Sequence, residues 1–85
     1  DTELLLEGIT LYPNPASQNI TITNPQFVGL QGVTLFDVTG RKVKYSSISG
    51  VNDAVVLDVS ELKSTMYLVV ISTEYGQVVK QLIKQ

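Results

Sequence analysis

Asp37 and Arg41 stand four residues apart around Val38-Thr39-Gly40, close enough in sequence to set an acid beside a base. The spacing fits two roles. As a charged site it would set a carboxylate beside a guanidinium. As a cross-strand pair beside a turn it would contribute roughly 0.2–1 kcal/mol and no chemistry. The second role is favoured, because the chain contains no histidine and no cysteine to share a proton or act as a nucleophile. Ser46, Ser47 and Ser49 have no base near them in sequence, so serine catalysis lacks its partner. Asp53, Asp58 and Glu61 do not follow the spacing of a calcium loop and read as solvated surface. Zinc and copper lose their commonest ligands, and no cofactor is implied. Tyr12, Tyr45, Tyr67 and Tyr75 could form a sugar-binding platform, but the chain has no tryptophan. Tyr45 and Tyr67 are expected to face inward, which makes core filling the better use of them.

Charge narrows the partners further. The net charge is −2, and the densest basic cluster is Arg41-Lys42-x-Lys44. Phosphate neutralisation along a nucleic acid needs a basic stripe, which is missing here. No apolar run approaches the roughly 18 residues of a membrane span, and no signal peptide opens the sequence. Residues 1–8 read as a linker or first-strand lead-in, and residues 9–85 as one small domain.

The elements that position these residues are strands. Short β-branched runs recur between Gly, Pro, Asn and Ser, the pattern of an antiparallel sandwich or barrel. About seven strands are predicted, over residues 9–12, 19–23, 32–37, 41–47, 54–58, 66–73 and 77–84. Ile20 and Ile22 point inward in the second strand, as do Val55, Leu57 and Val59 around the fifth. One helical turn is expected at Ser60-Glu61-Leu62-Lys63, with Ser60 as its cap and Leu62 plugging the core. Residues 46–53 read as a small polar tip. In Leu11-Tyr12-Pro13-Asn14-Pro15 each proline removes a ladder donor and fixes φ, so the first strand must stop or cross over there.

Two hairpins invite a test of register. A Thr39-Gly40 turn would pair Leu35 with Lys44, mixing apolar and charged side chains. A three-residue Val38-Thr39-Gly40 loop pairs Leu35 with Val43 and Val33 with Tyr45, and puts Gly40 at the left-handed position. The three-residue version is preferred because a one-residue slip would turn the core set outward. In the last hairpin, a Glu74-Tyr75-Gly76 loop pairs Ile71 with Val79, Val69 with Gln81, and Tyr67 with Ile83. Its outer face then carries Met66, Leu68, Val70, Val78 and Leu82, interrupted by Lys80 and Lys84. Apolar patches of roughly several hundred Å² rarely stay bare. Cover by the Asp1–Gly8 segment with its Leu4-Leu5-Leu6, a protein interface, and shielding by lysine stems all fit.

Three segments taken together resemble one family. Leu11-Tyr12-Pro13-Asn14-Pro15, then Leu35-Phe36-Asp37-Val38-Thr39-Gly40-Arg41-Lys42-Val43, then Tyr67-Leu68-Val69-Val70-Ile71 followed by Gly76 and Lys80, occur in order. They are similar to the C-terminal sorting domain of the type IX (Por) secretion system, type A. The resemblance implies an immunoglobulin-like β-sandwich, non-catalytic, at the end of a larger secreted or surface protein. It implies passage through the periplasm and recognition by the outer-membrane secretion machinery. Removal by a sortase-like protease follows, with the attached cargo left at the surface or released. Family motif positions fall on Pro13, Asn14, Pro15, Asp37, Gly40, Arg41 and Tyr67, and mainly shape the fold. Recognition is expected at Met66, Leu68, Val70, Gly76, Val78, Lys80, Leu82 and Lys84, with a weak homodimer through the same stripe left open. Where the family usually has Gly-x-Tyr, this chain has Thr65-Met66-Tyr67. A carbohydrate-binding or fibronectin-like accessory module is the alternative reading, and exposed coplanar aromatics would mark the former.

Overall fold

A computed structural model describes residue 6, residues 8–48 and residues 53–85. Seven strands form two antiparallel sheets: β1 (Thr10–Tyr12), β2 (Asn19–Thr23), β3 (Leu30–Phe36), β4 (Lys42–Ser47), β5 (Ala54–Asp58), β6 (Met66–Thr73) and β7 (Gly76–Ile83). One sheet has the order β1-β2-β5 and the other β4-β3-β6-β7. The all-β sandwich expected from the strand pattern is therefore the fold. Period-2 alternation selects its core: Ile20, Ile22 and Leu57 from the small sheet meet Val33, Leu35, Val69, Ile71 and Tyr67 from the large one. Val59 is buried and Val55 packs against the core, as their alternation requires.

The β3–β4 hairpin keeps the expected tip but not the expected body. Asp37 N–H donates to Arg41 O at 2.9 Å and Gly40 N–H to Asp37 O at 3.0 Å, with Gly40 at φ +89°. That is the three-residue loop. Immediately beyond it the register shifts, so that Phe36 lies opposite Lys42 while Leu35 lies opposite Lys44 and Thr34 opposite Tyr45. Val43 is the extra residue of this bulge, and it still packs against the core. The shift turns Tyr45 outward, 58% exposed, correcting its expected inward placement. Its ring lies across Gly32, where a Cβ would come within 2.8 Å of the Tyr45 hydroxyl. Glycine at that position gives the ring room to lie against the strand, and a larger residue would push the exposed Tyr45 side chain aside. Lys44 moves to the inner row, and its ammonium leaves the sandwich to meet Glu61 at 2.7 Å.

Residues 60–63 form a turn, not the expected helical turn. Leu62 N–H donates to Val59 O at 3.1 Å, and the capping side chain is Asp58, which accepts from Ser60 N–H at 2.9 Å. A carboxylate two residues ahead of the turn captures the amide that a helix would have left free. Leu62 does pack against the core. Asn24, fully buried after β2, donates from Nδ2 to Val28 O and accepts from Val28 N–H, fixing the crossing to β3. Phe27, inside this loop, has φ +54° and is 59% exposed. Thr65 needs no left-handed backbone, since Phe27 is the one non-glycine residue with positive φ among the described residues.

Candidate functional site

The last hairpin closes with a two-residue turn. Thr73 lies opposite Gly76, leaving Glu74 and Tyr75 as the loop. Thr73 makes this possible: its hydroxyl donates to Gly76 O at 2.8 Å and accepts from Tyr75 N–H at 3.1 Å. Gly76 takes φ +132°, a conformation that side chains resist. Glu74 ties the turn to the body, since its N–H donates to Gly29 O at 2.9 Å and its Oε2 accepts from Gly29 N–H at 3.0 Å.

Compared with the expected three-residue loop, β7 is displaced by one residue. Met66 pairs with Ile83, Tyr67 with Leu82, Val69 with Lys80, Val70 with Val79 and Ile71 with Val78. A one-residue slip turns every side chain of the strand over. Val78 and Leu82 therefore belong to the inner face, where Leu82 is wholly buried and Val78 packs against the core. Lys80 and Lys84 also share this inner row. Lys84 is only 6% exposed, with its ammonium donating to Gln85 O at 2.9 Å. Shielding of the outer stripe by lysine stems is thereby removed. Met66, Leu68 and Val70 do lie on the outer face. Val79 and Ile83, which the sequence reading placed inward, join them at 57% and 42% exposure. Phe36 continues the face beside Leu68. The expected cover by residues 1–8 falls largely outside the described residues.

The motif around Asn14 explains how the edge of β7 is finished. Both Tyr12-Pro13 and Asn14-Pro15 are cis, and the chain crosses here from the small sheet to the rim of the large one. Asn14 Nδ2 donates to Gln81 O at 2.9 Å, while Ile83 N–H donates to Asn14 Oδ1 at 2.9 Å. Ala16 N–H then donates to Ile83 O at 2.8 Å and Gln85 N–H to Ala16 O at 2.7 Å. The side-chain amide thus supplies the donor and acceptor that a neighbouring strand would have offered.

The remaining motif residues gather at the opposite end of this hairpin from its turn. A cleft of about 330 Å³ is lined by Asp37, Arg41, Val43, Leu62, Lys63 and Tyr67, among others. Tyr67 is buried and its hydroxyl donates to Lys63 O at 2.8 Å. Asp37 Oδ1 accepts from the Thr39 hydroxyl at 2.6 Å and from the N–H groups of Thr39 and Arg41, both at 3.0 Å. Arg41 Nε adds an ion pair at 3.2 Å. The Thr39 hydroxyl above all, then the Arg41 amide, holds the Asp37 carboxyl at a pKa of about 2. A carboxylate so engaged by its own loop organises the turn. Of the tyrosines, Tyr67 alone fills the core; Tyr12 and Tyr75 are exposed like Tyr45.

Sequence comparison adds to this geometry. No individual curated protein matches the chain significantly. Residues 10–85 match the family model described as the secretion system C-terminal sorting domain, which spans all seven strands, the Asn14 clasp and the last hairpin. The chain belongs to this family of non-catalytic C-terminal sorting signals for type IX secretion, and so to the exported part of a protein that reaches the cell surface or exterior.

Proposed function

We propose that the type IX machinery reads this domain through the outer face of its β6–β7 hairpin. The observation that supports the reading is an apolar row that keeps much of its surface exposed among the described residues. Leu68, Val79 and Ile83 keep 37%, 57% and 42% of their surface, with Met66 and Val70 between them. Docking about 400 Å² of such surface at ~25 cal/mol/Å² would gross about 10 kcal/mol before association costs. Gly76 shapes the turn at one end of the face. Val78, Leu82 and Lys84 hold it up from beneath, and Lys80 lies at the rim, where it steers the encounter.

In this reading residues 9–85 are the sorting unit and residues 1–8 lead in from the cargo domain. The outer-membrane machinery binds the domain from the periplasm. A sortase-like protease then separates it from the cargo. Without a receptor, two copies meet weakly through the same face.

The test is a reporter protein fused ahead of the chain and expressed in a host with type IX secretion. The double substitution Leu68→Lys and Val79→Lys is expected to cut secretion at least about tenfold, a 1.4 kcal/mol loss of recognition. The reporter should accumulate in the periplasm while the domain's urea midpoint is little changed. Val56→Lys, at a site 64% exposed on the other sheet, should secrete normally. Normal secretion of the double variant would overturn the reading.

A further inference from the structure

The rim of β7 carries a second feature, distinct from its face. In the ladder with β6, residues Gly76, Val78, Lys80 and Leu82 turn their peptide groups toward β6. Gln77, Val79, Gln81 and Ile83 consequently turn theirs to the outer edge. From Gln81 O onward that edge is occupied by Asn14 and Ala16. The N–H and C=O of Gln77 and Val79, and the N–H of Gln81, pair with none of the described residues. The strand is half clasped and half open.

Two observations say what fits the open half. Asn14 already makes the alternating donor and acceptor contacts of an added strand on this edge, and the ladder with β6 runs unbroken from Gly76 to Ile83, so the groups further along present the same pattern to a peptide backbone. Lys80 projects from the inner row of the open stretch, half-buried, and forms no ion pair among the described residues. Gly76–Ile83 contains no acid to balance it. We infer that residues 77–81 form a strand-acceptor site for an extended segment of a partner protein, with a carboxylate opposite Lys80 and an apolar residue opposite Val79. A second copy of this chain fits worse. Antiparallel self-pairing centred on Val79 sets Val78 of each copy opposite Lys80 of the other, covering two ammonium groups without a counter-ion. The inference deepens the reading of the hairpin as the recognised element, adding a register-setting edge to the docking face.

The site is tested on the purified chain with a blocked peptide, Thr-Glu-Val-Val-Thr, and a second in which Lys replaces Glu. In the free chain the amides of Gln77, Val79 and Gln81 should exchange rapidly with solvent while that of Ile83 is protected. Addition of the glutamate peptide should protect the first three and shift their resonances. The lysine peptide should bind at least about tenfold more weakly. Val79→Pro, which removes an N–H that the sheet does not use, should abolish binding without unfolding the domain, whereas Val79→Thr should retain it. The inference fails if the two peptides bind equally, or if shifts centre on Leu68 and Val70 instead of the edge. It also fails if these amides are protected in the free chain, or if rising chain concentration protects them by self-pairing. Because none of these readouts involves export, loss of peptide binding leaves the face reading standing, and normal secretion of the face variants leaves the edge site standing.

Discussion

Replacing Asn14 by alanine isolates the clasp that finishes β7. The substitution removes the donor to Gln81 O and the acceptor for Ile83 N–H, both at 2.9 Å, and disturbs nothing in the core. A net hydrogen bond contributes about 0.5–1.5 kcal/mol, and Asn14 is exposed enough for water to replace part of each, so the loss should be about 1–2 kcal/mol. A domain of this size has about 4–13 kcal/mol in total at 0.05–0.15 kcal/mol per residue, so the effect is large in proportion. At about 4–8 °C per kcal/mol, Tm should fall by about 4–16 °C. Urea and thermal melts give the global value, and amide hydrogen exchange gives its location. Ile83 should exchange faster in Asn14→Ala beyond the global change, with Gln77 and Val79 unaffected. A loss below about 0.5 kcal/mol, the range of ordinary surface substitutions, with unaltered Ile83 protection, would show that Asn14 does not hold the edge.

Two further outcomes follow from the register and from the Asp37 loop. Leu82→Ala removes a wholly buried side chain and should cost about 2–5 kcal/mol, whereas Leu68→Ala on the outer face should cost well under half as much; equal urea midpoints would return β7 to the other register. Asp37 is held at a pKa of about 2 against an ordinary 3.8, so its contribution to stability is complete above pH 3.8 and drains away as pH falls through 2. Thermal melts across that window should show the decline in the parent and lose this component in Asp37→Asn. An NMR titration of the Asp37 carboxyl with a midpoint near 3.8 would refute it.

Alternation of apolar residues was enough to place the strands. β2, β5 and β6 have the boundaries expected from it; Ile20, Ile22 and Val59 each stand between polar neighbours, and Val55 and Leu57 share their parity along β5 with Val59 while Val56 turns outward. The family was legible too, since its motifs are short segments written in order along the chain. Which way β7 faces was not legible. Val78-Val79 and Leu82-Ile83 are adjacent apolar pairs, so either parity offers the core two large side chains, and local pattern cannot choose between them. The choice fell to the Thr73 hydroxyl bridging a two-residue turn and to Glu74 anchoring that turn on Gly29, a contact 45 residues distant. The bulge at Val43 was hidden for a similar reason, because its stabilisation comes from Tyr45 lying over Gly32 and Lys44 reaching Glu61. Asn14 read as punctuation between prolines; its grip on β7, 67 and 69 residues away, exists only once the chain has crossed from one sheet to the rim of the other. Strand positions and family are local patterns and could be read from the residues alone, whereas the exposed face and the open edge depend on partners far along the chain and were decided by tertiary structure.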